Sequence, residues 1–303
     1  MFCLASISVL FFLCLGYTFF MSESILIIPF IFLVGTVIGS FLNVVIDRWP
    51  KEKSVIKNRS HCDFCKTNLL PKDLIPVVSF LLLKGRCRYC RKKLSWQYPL
   101  VEFFTGFLFI ATVFLTYQNG QNTSANNFLL FLLLLIFNLI IAVYFILIFM
   151  IDLKYEIILD NIIDSVIVIS VVYQVFVIFF SASFFGTSPI FSFSLFYPIA
   201  VNLLIGCIIA LFFRFLIFVS RGKGLGVGDI KLGFWLGVLL GFNAIPAFFI
   251  GFVSGAVVGL FLVITKIKRF GQTIPLAPFL VSGAYIAFFF GDKIIRWYIT
   301  TFL

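Results

Sequence analysis

Eight apolar runs divide this chain, at 25–46, 99–117, 128–151, 161–182, 195–219, 229–243, 246–265 and 274–291. A hydrocarbon core about 30 Å thick is crossed by roughly 20 apolar residues in a helix, so the runs predict transmembrane helices. A membrane β-barrel would alternate apolar and polar positions instead, and these runs do not alternate. The run 229–243 is short; fifteen residues rise only about 22 Å, so its start should sit below the membrane face or in a water-filled dip. One more uncharged run covers 2–20. It lacks the basic n-region and small-residue cleavage site of a signal peptide. It is either a ninth span or the product of a start placed upstream of Met21, and residues 1–24 are set apart on that account.

The connectors alternate in character. Lys or Arg occur in 48–97, 152–160, 220–228 and 266–270, whereas 118–127 and 183–194 carry no charge. Placing basic loops in the cytoplasm gives a consistent serpentine, with an even number of spans between each pair of basic loops. Only the tail, with Lys293 and Arg296, fits poorly. Composition agrees with this picture. Hydrophobic residues make up 62% of the chain and charged residues 12%, against about 25% charged in a soluble domain. A soluble enzyme and a disordered chain are both excluded. The net charge of +11 is concentrated: thirteen of the 23 Lys and Arg lie between Arg48 and Lys93. That pattern is a basic loop between spans, not a nucleic-acid surface.

The same loop holds Cys62, Cys65, Cys87 and Cys90, two C-x2-C pairs separated by 21 residues. Two such knuckles complete a tetrahedral all-thiolate site suited to structural Zn2+, with no position left open for catalysis. A cytoplasmic location argues against disulfides. Four unliganded thiols are the bland alternative. Cys3, Cys14 and Cys207 lie in apolar runs and read as packing residues. The single histidine, His61, adjoins the first knuckle, where four thiolates already suffice. One histidine also rules out a two-histidine metalloprotease, and leaves His61 alone for any Ser-His or Cys-His chemistry. Reaction chemistry inside the membrane therefore falls to carboxylates.

Glu102, Asp152, Asp160, Asp164 and Asp229 sit at or inside apolar runs, where an ionisable group costs on the order of 2.5–3.5 kcal/mol. Asp152 closes the third run and Asp229 opens the sixth, in the string Gly226-Val227-Gly228-Asp229. Two complete spans separate them, so both face the same side. Gly226 and Gly228 lack Cβ and permit close approach. Paired carboxylates share one proton, so one can activate water while the other protonates or polarises the scissile carbonyl. The bland alternative is two boundary residues beside Lys154 and Lys231. Asp160 and Asp164 lie further along the chain and lack a glycine-flanked partner.

These residues together resemble the type IV prepilin peptidases, the bifunctional leader peptidase/N-methyltransferase family of bacterial inner membranes. Four segments carry the resemblance: Gly39 to Ile46 with Arg48-Trp49-Pro50; the cysteine loop with Leu74 to Ser79 and Lys84 to Cys87; Tyr98 to Glu102 leading into Thr105-Gly106; and the two aspartate segments. The resemblance implies that Asp152 and Asp229 are catalytic and that the four cysteines bind zinc. It implies cleavage of the basic leader of prepilins or pseudopilins after a glycine, at the cytoplasmic face. Methylation of the new N-terminal amine from S-adenosylmethionine is implied as well. No glycine-rich loop for that cofactor is visible, so its binding residues are unassigned. One departure is Leu159, where the family usually has proline before the aspartate matching Asp160.

The expectation is thus an all-α polytopic protein of eight transmembrane helices, or nine if 2–20 spans, with a cytoplasmic zinc loop at 48–97. Residues 25–127 would form the methyltransferase-type region and 128–303 the aspartic peptidase, with Glu102 serving either methyl transfer or substrate binding. Its partners would be prepilin-type substrates and membrane lipid. Two alternatives stand beside it: a peptidase without methyl transfer, and a zinc-bearing scaffold of a pilus or secretion assembly.

Overall fold

The computed structural model describes residues 27–55, 60–120, 128–184, 193–221, 226–269, 272 and 274–302. The apolar run 2–20 lies outside the described residues. Among those described, the chain is all-helical; the only β-type pairings are the isolated bridges His61–Asn68 and Arg86–Lys93. The helices are α1 (27–48), α2 (Val78–Leu82), α3 (Gln97–Gly120), α4 (Phe128–Tyr155) and α5 (Asp160–Phe184), followed by α6 (Phe193–Val219), α7 (Val227–Leu240), α8 (Ala244–Ile264) and α9 (Ala277–Phe302). Seven described stretches are long and apolar enough to cross a membrane, which makes this a multi-pass membrane protein. One of the seven, Val227–Ile264, is a continuous apolar stretch that breaks into α7 and α8. The break falls at Gly241, whose φ of 55° and ψ of −128° suit glycine alone. Eight rods therefore occupy the eight apolar runs.

Two helices outrun the C-terminal ends of their apolar stretches by a full turn or more. The third run, expected to end at 151, continues to Tyr155, so Asp152 lies within the last turns of α4. The last run, expected to end at 291, continues to Phe302 through Asp292, Lys293 and Arg296. After Gly291 no glycine or proline interrupts it, and Asn243 donates a hydrogen bond of 2.9 Å to Asp292.

The chain forms two compact units, Met1–Arg48 with Ser54–Ala111, and Trp49–Lys53 with Thr112–Leu303. In the first, α1 packs on the start of α3 while Phe30, Phe104 and Phe107 remain exposed, as lipid-facing residues do. Asn43 donates to the Tyr98 carbonyl at 3.0 Å, and the Tyr98 hydroxyl donates to Asp47 at 2.9 Å, joining the two helices at one end.

The second unit is held by small-residue contacts and buried polar pairs, the means available where lipid is as apolar as leucine. A Cβ on Gly237 of α7 would lie 2.6 Å from the Gly206 Cα of α6, so the two backbones touch. Trp235 is fully buried and donates to the Ser170 hydroxyl at 2.9 Å. Gln174 bonds the Val238 carbonyl and accepts from Asn202. These bonds tie α5 and α6 to α7, the helix that carries Asp229.

Candidate metal centre and candidate active site

The four cysteines converge. Their sulfur atoms all lie within 4.8 Å of one another, with Cys62 and Cys90 at 3.9 Å. A tetrahedral Zn–S bond of about 2.3 Å implies sulfur–sulfur edges of about 3.8 Å, so the donor set fits such an ion. The two knuckles repeat one design. Lys66 N–H bonds the Cys62 carbonyl at 2.8 Å, and Arg91 N–H bonds the Cys87 carbonyl at 3.0 Å. Lys66 and Arg91, each directly after the second cysteine of its pair, both take the left-handed conformation, with φ 57° and 60°. The Cys62 sulfur accepts the N–H groups of Cys65 and Phe64, and the Cys87 sulfur those of Cys90 and Tyr89.

Electrostatics within the cluster are uneven. Burial pushes the Cys62 thiol up to about 11, ahead of the opposing backbone N–H groups. The Thr67 hydroxyl and N–H pull Cys65 down to about 6. Burial raises Cys87, but the N–H groups of Cys90 and Tyr89 outweigh it and hold that thiol below its usual range. Negative sulfur is thus already favoured at two of the four corners, as a cation site requires. Behind the second knuckle, Asp73 accepts from Arg88 at 2.6 Å, from Tyr89 at 3.1 Å and from Leu70 N–H at 3.1 Å. Burial raises the Asp73 carboxyl, yet these donors together hold it below the ordinary carboxylate range.

The second unit brings the two aspartates together. Asp152 is buried, and Asp229 is one of the two carboxylates that act on it electrostatically, the other being Glu156. Each has its own backbone anchor. The Asp229 carboxylate accepts Gly226 N–H at 2.8 Å while Asp229 N–H bonds the Gly226 carbonyl at 3.1 Å, closing the first turn of α7. The Asp152 carboxylate accepts Ala277 N–H at 3.1 Å, the first residue of α9. Of the two glycines, Gly228 is the one under steric demand. A Cβ there would lie 2.8 Å from the Ile158 Cβ, whereas at Gly226 the nearest atom stands at 3.7 Å. Lys231 reaches Asp160 at 2.8 Å, pinning the start of α7 to the start of α5. Asp160, which lacks a glycine-flanked carboxylate partner in the sequence, thus pairs with a lysine two residues from Asp229. Glu102 belongs to the first unit, where it is buried against α1.

Sequence reasoning missed Ala277 and Ile158. The available signal was the string Pro275-Leu276-Ala277-Pro278, two prolines bracketing the start of an apolar run.

A many-helix membrane protein with a four-thiol metal-type site and a carboxylate pair, one member of it buried, is thereby defined, and the comparisons give its family. The family model described as the bacterial peptidase A24 N-terminal domain matches residues 33–116. A prepilin leader peptidase/N-methyltransferase of Bacillus subtilis (strain 168) is 32% identical over 270 residues, 89% of this chain and 96% of its own length. One of Aeromonas hydrophila is 29% identical over 300 residues, 90% of this chain and 94% of its own. One of Myxococcus xanthus (strain DK1622) is 48% identical over 82 residues, 27% of this chain and 24% of its own. No solved structure matches the chain. The chain belongs to the prepilin leader peptidase/N-methyltransferase family.

Proposed function

We propose that this protein removes the leader of prepilins or pseudopilins by a two-aspartate mechanism and methylates the amine thus freed. Asp152 and Asp229 are the catalytic residues. The observation that carries the proteolytic part is their pairing: two carboxylates within electrostatic reach, each fixed by a backbone N–H from a different element. The pair holds one proton between two carboxylates. Its ionised member takes a proton from water, whose oxygen bonds to the scissile carbonyl carbon. The protonated member gives its proton to the carbonyl oxygen. Collapse of the tetrahedral intermediate breaks the C–N bond as the proton taken from water passes to the leaving nitrogen, and one hydroxyl of the intermediate returns its proton to the other aspartate as C=O re-forms. Anchoring both carboxylates keeps their spacing, which a shared-proton site tolerates poorly when changed.

In the same proposal Cys62, Cys65, Cys87 and Cys90 hold a structural Zn2+ that shapes the basic loop and takes no part in cleavage. S-adenosylmethionine supplies an electrophilic methyl group when bound. Residues 25–127 carry methyl transfer and 128–303 carry cleavage; in support, the thiols and Glu102 fall in one compact unit and both aspartates in the other. The chain resides in the bacterial inner membrane, with loop and aspartates on the cytoplasmic side; the basic connectors support that sidedness. The test is a cleavage assay on a detergent-solubilised prepilin, run beside methyl transfer to mature pilin. Wild-type protein that does neither ends the proposal, and a zinc-bearing scaffold then takes its place.

A further inference from the structure

Where α1 crosses α3, a buried polar group serves neither the thiols nor the aspartates. Glu102 is 8% exposed. Its carboxylate accepts Val77 N–H at 2.7 Å and the hydroxyl of Ser40. A helical Cβ leans toward the N-terminus of its helix, so the Glu102 side chain reaches back toward the level of Tyr98, one turn earlier. Asn43 is at that level and is 4% exposed. Its amide nitrogen donates to the Tyr98 carbonyl, which fixes the amide's orientation and leaves its oxygen buried with no hydrogen-bond partner. Buried acceptors are rarely left in that condition. Gly39 makes the arrangement possible, since a Cβ there would lie 2.8 Å from the Glu102 Cα.

Val77 adds a second mark. It is β-branched yet sits at φ 60°, ψ −49°, a strained conformation for such a residue. In that conformation its N–H reaches Glu102. The group thus offers a carboxylate and an amide oxygen; besides the Ser40 hydroxyl of α1, the donor it holds comes from strained backbone that a better donor can displace. Only a ligand rich in N–H groups and positively charged complements it, and a primary ammonium brings three donors.

We infer that Glu102 and Asn43 form a binding site for a primary ammonium group, whose occupant is the free α-amine of the processed pilin-type substrate. The inference rests on the function proposed above and names where that substrate's amine is held. Glu102 lies in the second turn of α3, at one end of an apolar stretch. An apolar segment lying in the bilayer with a charged first residue presents its ammonium at that depth. On binding, the ammonium replaces Val77 N–H, and Val77 leaves the left-handed region.

The test uses the full chain in lipid nanodiscs and two synthetic peptides, one apolar pilin-like N-terminal segment with a free amine and the same segment N-acetylated. The free amine should bind at least about tenfold tighter, as loss of a charged hydrogen-bonded partner implies. Hydrogen exchange at Val77 and α2 should rise with the free-amine peptide alone. Glu102→Gln can still accept Val77 N–H but should lose the preference, and Glu102→Asp should retain part of it. Equal binding of both peptides by the wild type, which needs no variant to fold, overturns the inference. So does a preference that persists in Glu102→Gln. Methyl transfer to the free-amine peptide is measured alongside: transfer without preference sinks this inference alone, and preference without transfer sustains it while sinking the methylation proposed above.

Discussion

Asp152 accepts a hydrogen bond from the backbone N–H of Ala277, a residue 125 positions further along the chain. The bond joins the end of α4 to the start of α9 and fixes one carboxylate of the pair from outside either aspartate segment. Ala277 is the first residue of α9, where proline is tolerated because that N–H has no partner within the helix. Ala277→Pro therefore deletes little except the donor. It should cut prepilin cleavage by about tenfold or more, since a buried carboxylate loses its partner, while helix content by circular dichroism stays unchanged. Ala277→Gly keeps the N–H and should cleave normally. Equal cleavage by the proline variant would remove Ala277 from the active site.

The two glycines before Asp229 should behave differently on substitution. Gly228→Ala places a methyl group 2.8 Å from the Ile158 Cβ, so the first turn of α7 shifts and takes Asp229 with it. A misplacement of about 1 Å can cost about a hundredfold in rate. Gly226→Ala meets nothing nearer than 3.7 Å, and its φ of −90° suits any residue. Steady-state cleavage by the two variants should thus separate widely, with Gly228→Ala the weaker enzyme. Similar rates would show that close packing on Ile158 does not set the position of Asp229.

What the sequence made legible was local. The knuckles are built within a few residues of each cysteine, and the first turn of α7 closes between Gly226 and Asp229, so spacing alone announces both. Apolar runs announced the rods, because a bilayer fixes helix length, and the boundary between the sixth and seventh runs falls at the break at Gly241. The illegible parts are long-range. Nothing in periodicity links Asp152 to Ala277, or Lys231 to Asp160, since these pairs depend on which helices pack together. Helix ends were also missed at Tyr155 and Phe302, because polarity stops an apolar run without stopping a helix.

The thiol cluster gives a prediction independent of catalysis. Purified protein should contain about one Zn2+ per chain, the stoichiometry that four thiolates around one ion impose. Cys62→Ser removes a buried corner of the set and should lower that content sharply by elemental analysis. Because metal binding there is folding free energy for the loop, proteolysis in the 48–97 stretch should speed up while the spans stay inserted. A metal-free wild type whose loop resists protease would show that the four thiols pack without an ion.

The aspartate pair provides the sharpest separation between enzyme and scaffold. Asp152→Asn retains an oxygen to accept Ala277 N–H, and Asp229→Asn retains one for Gly226 N–H, so neither change need disturb the anchors. Both remove the ability to take a proton from water or to return one to the leaving nitrogen, and each should abolish cleavage almost entirely. The double variant should be scarcely worse than either single one, as for groups that act as a unit. Asp-to-Glu changes should not rescue, since one methylene exceeds the tolerance of a shared-proton site. Asp164 is the proper control, and its Asn variant should cleave well. Asp160 is not, because its pairing with Lys231 steadies the start of α7 two residues from Asp229. That pair is exposed, so Asp160→Asn should cost only a small part of the rate. Methyl transfer to mature pilin should persist in all of these variants. Normal cleavage by Asp152→Asn or Asp229→Asn would end the two-aspartate mechanism, because the mechanism needs both members of the pair.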